Sequence, residues 1–133
     1  MAELSAAAAA LLAEPNLAHL ATLMADGSPQ VTPVWVDFDG THVLVNTAMG
    51  RIKANNLARD PRVALDVTDR NNGYKVLAVR GRVMELTEEG ADAHIDKLCK
   101  KYTGKDKYTK SSPDERRVIL RILPERVLER GLN

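Results

Sequence analysis

Apolar and polar residues alternate with a period of two over most of this chain, the pattern of half-buried strands. Leu17 to Met24 reads as a first strand, Asp26-Gly27-Ser28-Pro29 as a hairpin turn and Gln30 to Phe38 as a second strand. Asp39-Gly40 repeats the turn chemistry before a third strand, Thr41 to Thr47. Two Asp-Gly turns between β-rich runs predict an antiparallel meander. The spacing turns helical from Gly50 to Arg59 and is broken by Asp60-Pro61. Arg62 to Thr68 returns to strand, with Val63, Leu65 and Val67 on one face. Asn71-Asn72-Gly73 then turns into a long strand, Tyr74 to Leu86. There Leu77, Val79 and Val83 share a parity with Gly81, while Arg80 and Arg82 take the other. A glycine in mid-strand predicts a bulge or a tight bend. A helix begins at Thr87-Glu88-Glu89-Gly90 and reaches about Tyr102, followed by a basic loop, Gly104 to Lys110. Arg117 to Leu123 and Arg126 to Glu129 close the chain as strands around Pro124, and Ser5 caps a short first helix ending near Ala13. Six to seven antiparallel strands with two to three flanking helices predict a mainly β (α+β) fold, a closed or split β-barrel, in a single domain over residues 1–133.

Composition narrows the function. At 44% hydrophobic and 28% charged the chain resembles ordinary globular proteins. Its net charge of +1 supplies no basic field for nucleic acid, and 4% aromatic residues supply few platforms for stacked bases. Cys99 is the single cysteine, which excludes an internal disulfide and a cysteine-rich metal site. The Ala6 to Ala10 run lacks a basic flank and meets Glu14-Pro15 too early to span a bilayer. The expected location is therefore the cytoplasm, without membrane contact. His19, His42 and His94 have no acidic or histidine companions at ligand spacing, so no metal is expected. Nucleophile elbows, P-loops and G-x-G-x-x-G motifs are absent from the sequence.

The segment from Val45 to Leu57 holds the most chemistry. Asn46 and Thr47 close a strand, Gly50 loosens the turn, and Arg51 and Lys53 stand in the first turn of a helix. A helix N-terminus already carries unpaired N–H groups and positive partial charge, so two cations there oppose the dipole. A bound phosphate would offset that opposition. The alternative is a helix start whose cations are simply solvated. Trp35, between Val34 and Val36, reads equally as a core or interface aromatic. Lys97, Lys100, Lys101, Lys105, Lys107 and Lys110 enclose only Asp106, and read as a solvated face or as a lure for an extended anion.

Several of these segments together resemble the split-β-barrel flavin and deazaflavin family related to pyridoxamine 5′-phosphate oxidase, in its branch that uses coenzyme F420. The resemblance runs from Leu17-Ala18-His19-Leu20-Ala21-Thr22-Leu23 to Arg117-Val118-Ile119-Leu120. It is most specific at Asp26 to Trp35 and at Asn46 to Leu57, with Asp60 to Leu65 and Val79 to Val83 completing the order. It implies that Arg51 and Lys53 hold the cofactor phosphate and that Asn46 and Thr47 bond the phosphate or polyol. It implies that Gln30, Pro33, Val34 and Trp35 lie along the tricyclic ring, and it places Asn56 among the cofactor-binding residues. It further implies a homodimer in which Tyr74, Lys75 and Val76 come from the second subunit. The family has no universal acid or base, so no catalytic residue is assigned. The implied activity is hydride transfer from reduced coenzyme F420 to a small conjugated organic substrate. An FMN-dependent pyridoxamine phosphate oxidase-like enzyme is the alternative; the chain lacks that enzyme's C-terminal Arg-containing segment. A non-catalytic F420 or flavin carrier is the second alternative.

Overall fold

The computed structural model describes residues 2–132. Helix α1 (Ala6–Ala13) is followed by β1 (Ala18–Leu23), β2 (Pro29–Val34), β3 (Val36–Phe38) and β4 (Val43–Ala48). Then come α2 (Ile52–Arg59), β5 (Arg62–Asp69), β6 (Asn72–Thr87), α3 (Ala91–Thr103) and β7 (Arg117–Arg130). The seven strands form one antiparallel sheet in the order β2-β1-β5-β6-β7-β4-β3. Its two edge strands, β2 and β3, are consecutive in the chain and separated by Trp35 alone. A sheet whose edges are one residue apart must curl round on itself, and because β2 and β3 do not pair, the resulting barrel is split.

The predicted second strand is therefore corrected: Gln30 to Phe38 is two strands with a corner at Trp35. Inward alternation runs unbroken through that corner, with Val34 and Val36 both buried, so periodicity carries no sign of it. The corner is tied down by α3. The Val36 N–H donates to Tyr102 Oη (3.0 Å), Tyr102 Oη donates to the Asn16 carbonyl (2.7 Å), and the Trp35 and Tyr102 rings stack at 5.4 Å.

The last two predicted strands are one. β7 runs through Pro124, which sits opposite Gly81 where the β6–β7 register shifts. A side chain at Gly81 would put its Cβ 2.1 Å from the Leu123 carbonyl oxygen, so only glycine admits this close approach. The turn glycines Gly27 and Gly40 have φ of +84° and +97°, as the Asp-Gly signals require. Leu20, Val36, Val43, Val45, Val67, Leu77, Leu120 and Ile122 fill the barrel, and α1 adds Ala8, Leu11 and Leu12 to that core. On the opposite face of β4 and β7, Leu44 and Ile119 pack against Ala91 of α3. No helix among the described residues is long and apolar enough to cross a membrane.

Candidate functional site

Two concavities stand out. One is an open trough of ≈ 630 Å³ over the outer face of β1, β5, β6 and β7, lined by Ala21, Val31, Ala64, Ala78 and Leu128 among others. Its charged members sit at half-exposed or exposed positions: His19 and Asp66 are 2.9 Å apart, and Arg80 lies directly opposite Arg126 across the β6–β7 ladder. The other is a pocket of ≈ 350 Å³ where β4 ends and α2 begins, lined by Pro33, Val34, Trp35, Asn46, Thr47, Arg51, Lys53, Tyr108 and Arg117 together with Leu17 and Ile95.

The pocket gathers positive charge. Arg51 is the N-cap of α2 and offers no side-chain acceptor, and no acidic residue follows in the first turn, so the helix start is left electropositive. Lys53 is half-buried. Burial pushes its ammonium below the usual lysine range, and the neighbouring Arg51 and Arg117 charges push it further the same way. Arg117 is almost completely buried. Its Nε donates to Asn46 Oδ1 (2.9 Å), its Nη1 to Glu115 Oε2 (3.0 Å), and its guanidinium lies 4.8 Å from the centre of the Tyr108 ring. Nη2 donates to no protein atom among the described residues. Glu115 is the one carboxylate against this group. Burial pushes its pKa up, but hydrogen bonds from Ser111, Arg117 and Tyr108 outweigh that and hold it at about 2. Thr47 lines the pocket too, and its Oγ1 is buried without a hydrogen-bond partner. Three cations gathered at a helix start without acidic residues are the setting that a phosphate would offset.

The structure sorts the sequence-predicted residues. Pro33, Val34, Trp35, Asn46, Thr47, Arg51 and Lys53 meet in the pocket. Asn46 is committed to the protein: Nδ2 donates to the Ala91 carbonyl (2.9 Å) and faces His94 Nδ1 (3.1 Å), while Oδ1 serves Arg117. Its expected hydrogen bond to a phosphate is therefore replaced by a supporting position. Asn56 does not line the pocket. It is buried, donates to Thr22 Oγ1 (2.9 Å) and accepts from Arg59 Nη2 (2.9 Å), which ties α2 to β1. Gln30 does not line it either; its Oε1 is buried without a partner. Tyr74, Lys75 and Val76 lie at the start of β6, outside this pocket, with Tyr74 exposed.

Arg117 escaped the sequence reading. The available signal was an arginine directly before the apolar run Val118-Ile119-Leu120, sharing a face with Ile119 rather than standing in a loop. Each histidine has an aspartate beside it: His19 meets Asp66 and His94 meets Asp37 across the fold, while His42 meets Asp39 three residues away in its own turn. Much of the lysine cluster is engaged: Lys97 with Asp37, Lys100 with Asp106, Lys107 with Asp96 and Lys110 with Asp92. Lys101 turns inward to the Leu12 and Val36 carbonyls.

Residues 4–131 match the family described as pyridoxamine 5′-phosphate oxidase. The chain is 36% identical over 129 residues to an F420H2-dependent biliverdin reductase of Mycobacterium tuberculosis (strain CDC 1551 / Oshkosh), covering 94% of this chain and 87% of the relative. Among solved structures it is similar to an F420 reductase at 33% identity and a TM-score of 0.78, covering 90% of this chain and 94% of that one. A conserved hypothetical protein from Mycobacterium tuberculosis superposes with a TM-score of 0.74 at 26% identity, covering 98% and 86%. A curled seven-stranded sheet with a cationic pocket at the β4–α2 junction, matched over nearly its whole length, belongs to the pyridoxamine 5′-phosphate oxidase family.

Proposed function

We propose that the protein is a coenzyme F420-dependent reductase that holds the deazaflavin phosphate in the β4–α2 pocket and reduces a small conjugated organic substrate. The observation that carries this reading is the meeting of Arg51, Lys53 and buried Arg117 in one pocket at the start of α2, where no acidic residue stands in the first turn. The similarity to two proteins named for F420 supports the choice of cofactor. A reduced deazaflavin supplies a hydride and, having carbon in place of the flavin N5, resists oxidation by air. The chain's own work is binding and orientation. Arg51, Lys53 and Arg117 neutralise the phosphate, Thr47 Oγ1 hydrogen-bonds it, and Pro33, Val34 and Trp35 form the wall along which the ring would lie. The relative's name makes a linear tetrapyrrole the first substrate class to try.

The working unit of this proposal is a homodimer. The trough over β1, β5 and β6 leaves apolar strand surface open, and the like charges of Arg80 and Arg126 stand opposite each other, a costly arrangement unless carboxylates arrive from outside. A second copy would cover that face and bring Tyr74, Lys75 and Val76 toward the cofactor.

The test is a titration of the purified protein, separately with F420 and with FMN, followed by absorbance and by light scattering. Saturable binding of F420 that is tighter than FMN binding, to a dimer, is the expected result. Reduction of biliverdin by F420H2 in the presence of the protein would add the substrate class. Tighter FMN binding at every salt concentration would move the chain to the flavin branch. F420 binding without turnover of any acceptor would make it a carrier.

A further inference from the structure

Next to the pocket lies a line of side chains that the phosphate reading leaves unused. It starts at the Ala91 carbonyl of α3, which can only accept, and at the Arg117 guanidinium, which can only donate. Between them sits Asn46. With Nδ2 2.9 Å from the Ala91 carbonyl and Oδ1 2.9 Å from Arg117 Nε, its amide has one possible orientation. The second Nδ2 hydrogen then points at His94 Nδ1, 3.1 Å away, so Nδ1 must accept. The proton of the neutral imidazole is thereby placed on Nε2, which faces Asp37 Oδ2 at 3.2 Å. Both His94 and Asp37 side chains are nearly buried, at 8% and 13% exposure, and Lys97 closes the far end at 3.0 Å from Asp37. Each contact in this row pairs a donor with an acceptor, and the last bond in it fixes the one pocket cation whose burial denies it solvent.

We propose that Asp37 and His94 are positioning residues for the phosphate site: they lock the Asn46 carboxamide so that its oxygen holds the Arg117 guanidinium with Nη2 directed to the ligand. The proposal rests on the reading of the pocket as a phosphate site. Asp37 fixes the imidazole tautomer, the tautomer fixes the amide, and the amide fixes the guanidinium. A buried arginine held at Nε and Nη1 reaches a ligand with little ordering left to do. Removing the acceptor at His94 leaves one amide hydrogen unpaired in a buried site, so the carboxamide keeps its orientation through the Ala91 carbonyl and Arg117 alone and holds the guanidinium less rigidly. The dyad touches neither ligand nor reacting atoms, so its effect passes wholly through Arg117.

The experiment compares His94→Leu, which keeps bulk and removes the acceptor, with His94→Gln, whose amide supplies one acceptor and one donor. In ligand-free protein the Nε–H resonance of Arg117 is followed by ¹⁵N NMR. Affinity for F420 is followed by fluorescence titration, with Lys53→Ala as the marker of the site itself. His94→Leu is expected to shift the Arg117 resonance and weaken F420 binding about tenfold, the scale of one hydrogen bond to a charged group. His94→Gln is expected to restore both toward the parent. Combined with Arg117→Lys, the His94→Leu loss should largely vanish, because both changes act on the same contact. If Lys53→Ala weakens F420 binding while His94→Leu leaves affinity and resonance unchanged, the positioning role is overturned and the phosphate site stands. If His94→Gln is as impaired as His94→Leu with the Arg117 resonance unmoved, His94 only supports the fold and the role is likewise overturned. If Lys53→Ala binds F420 like the parent, the phosphate reading fails, and the NMR comparison still decides whether the dyad holds Arg117.

Discussion

The trough measures ≈ 630 Å³ and the pocket ≈ 350 Å³, yet the smaller concavity is the one with buried and half-buried cations. In the trough, polar groups stand at its rim in water; His19 and Asp66 are each about half exposed, and an ion pair of that kind contributes little. At the pocket, Arg117 and its partner Glu115 behind the lining have side chains 3% and 5% exposed, and each is held by further hydrogen bonds. Desolvated and fixed, such groups are expensive to place and specific once placed. The trough is a surface waiting to be covered, and the pocket is a site already organised.

Breaking the pocket should cost most. Arg117→Ala leaves Glu115 buried without its cation and should lower folding stability by about 3–5 kcal/mol in denaturant titration. The same variant should lose part of its acid sensitivity. Glu115 titrates at about 2 in the fold against 4.5 in the unfolded chain, so its contribution is complete above 4.5 and disappears as pH falls toward 2. An Arg117→Ala stability equal to the parent's would erase the contrast between the two concavities.

The trough is challenged by adding a third cation beside Arg80 and Arg126. Ala78→Arg, opposite Leu128 in the ladder, should convert the proposed dimer to monomer at micromolar concentration in light scattering, since like charges brought together at an interface cost several kcal/mol. A dimer that survives Ala78→Arg would place its interface elsewhere.

Smaller still are Arg51→Ala and Lys53→Ala. Each should weaken F420 binding by about 1.5–3 kcal/mol in fluorescence titration. Folding stability should barely move, because cations at a helix start oppose the dipole. The loss should shrink as salt rises, since exposed charges are screened over about 8 Å at physiological ionic strength. Val31→Ala, on an exposed position of the trough, should change monomer stability by less than about 0.5 kcal/mol.

The last comparison lies at Lys101 and is read from the pH dependence of stability. Burial holds its ammonium down at about 8 against the usual 10.5. Between those values the unfolded chain binds the proton that the fold has released, so stability should rise with pH across that window. Lys101→Met should flatten the rise, measured by chemical denaturation at the two ends of the window.

What could be read in advance divides along the same line. Arg51 and Lys53 were legible because their meaning is local: two cations against a helix dipole can be seen within a few residues. The Asp-Gly turns and the Gly81 bulge were legible for the same reason. The place of Asn56 outside the pocket is not legible, because helix spacing does not say which face turns toward Thr22. Arg117 and the Asp37–His94 pair were invisible because their partners lie across the sheet, and periodicity carries no register between distant strands. Trp35 hid its corner behind an alternation that continues through it.

The pairing of β4 with β7 has a consequence for the order in which the molecule comes together. Neighbouring strands such as β1 with β2 and β5 with β6 can zip up locally, but Asn46 meets Arg117 only after chain ends far apart in sequence have closed. Under the proposed function a partly folded chain would therefore lack the phosphate site altogether, and the cofactor would recognise only the finished barrel. At a hundredfold excess over its dissociation constant such a ligand adds about 2.7 kcal/mol to stability. The supply of cofactor would then set how much of this protein escapes unfolding and proteolysis, and cells poor in it would hold less of the enzyme.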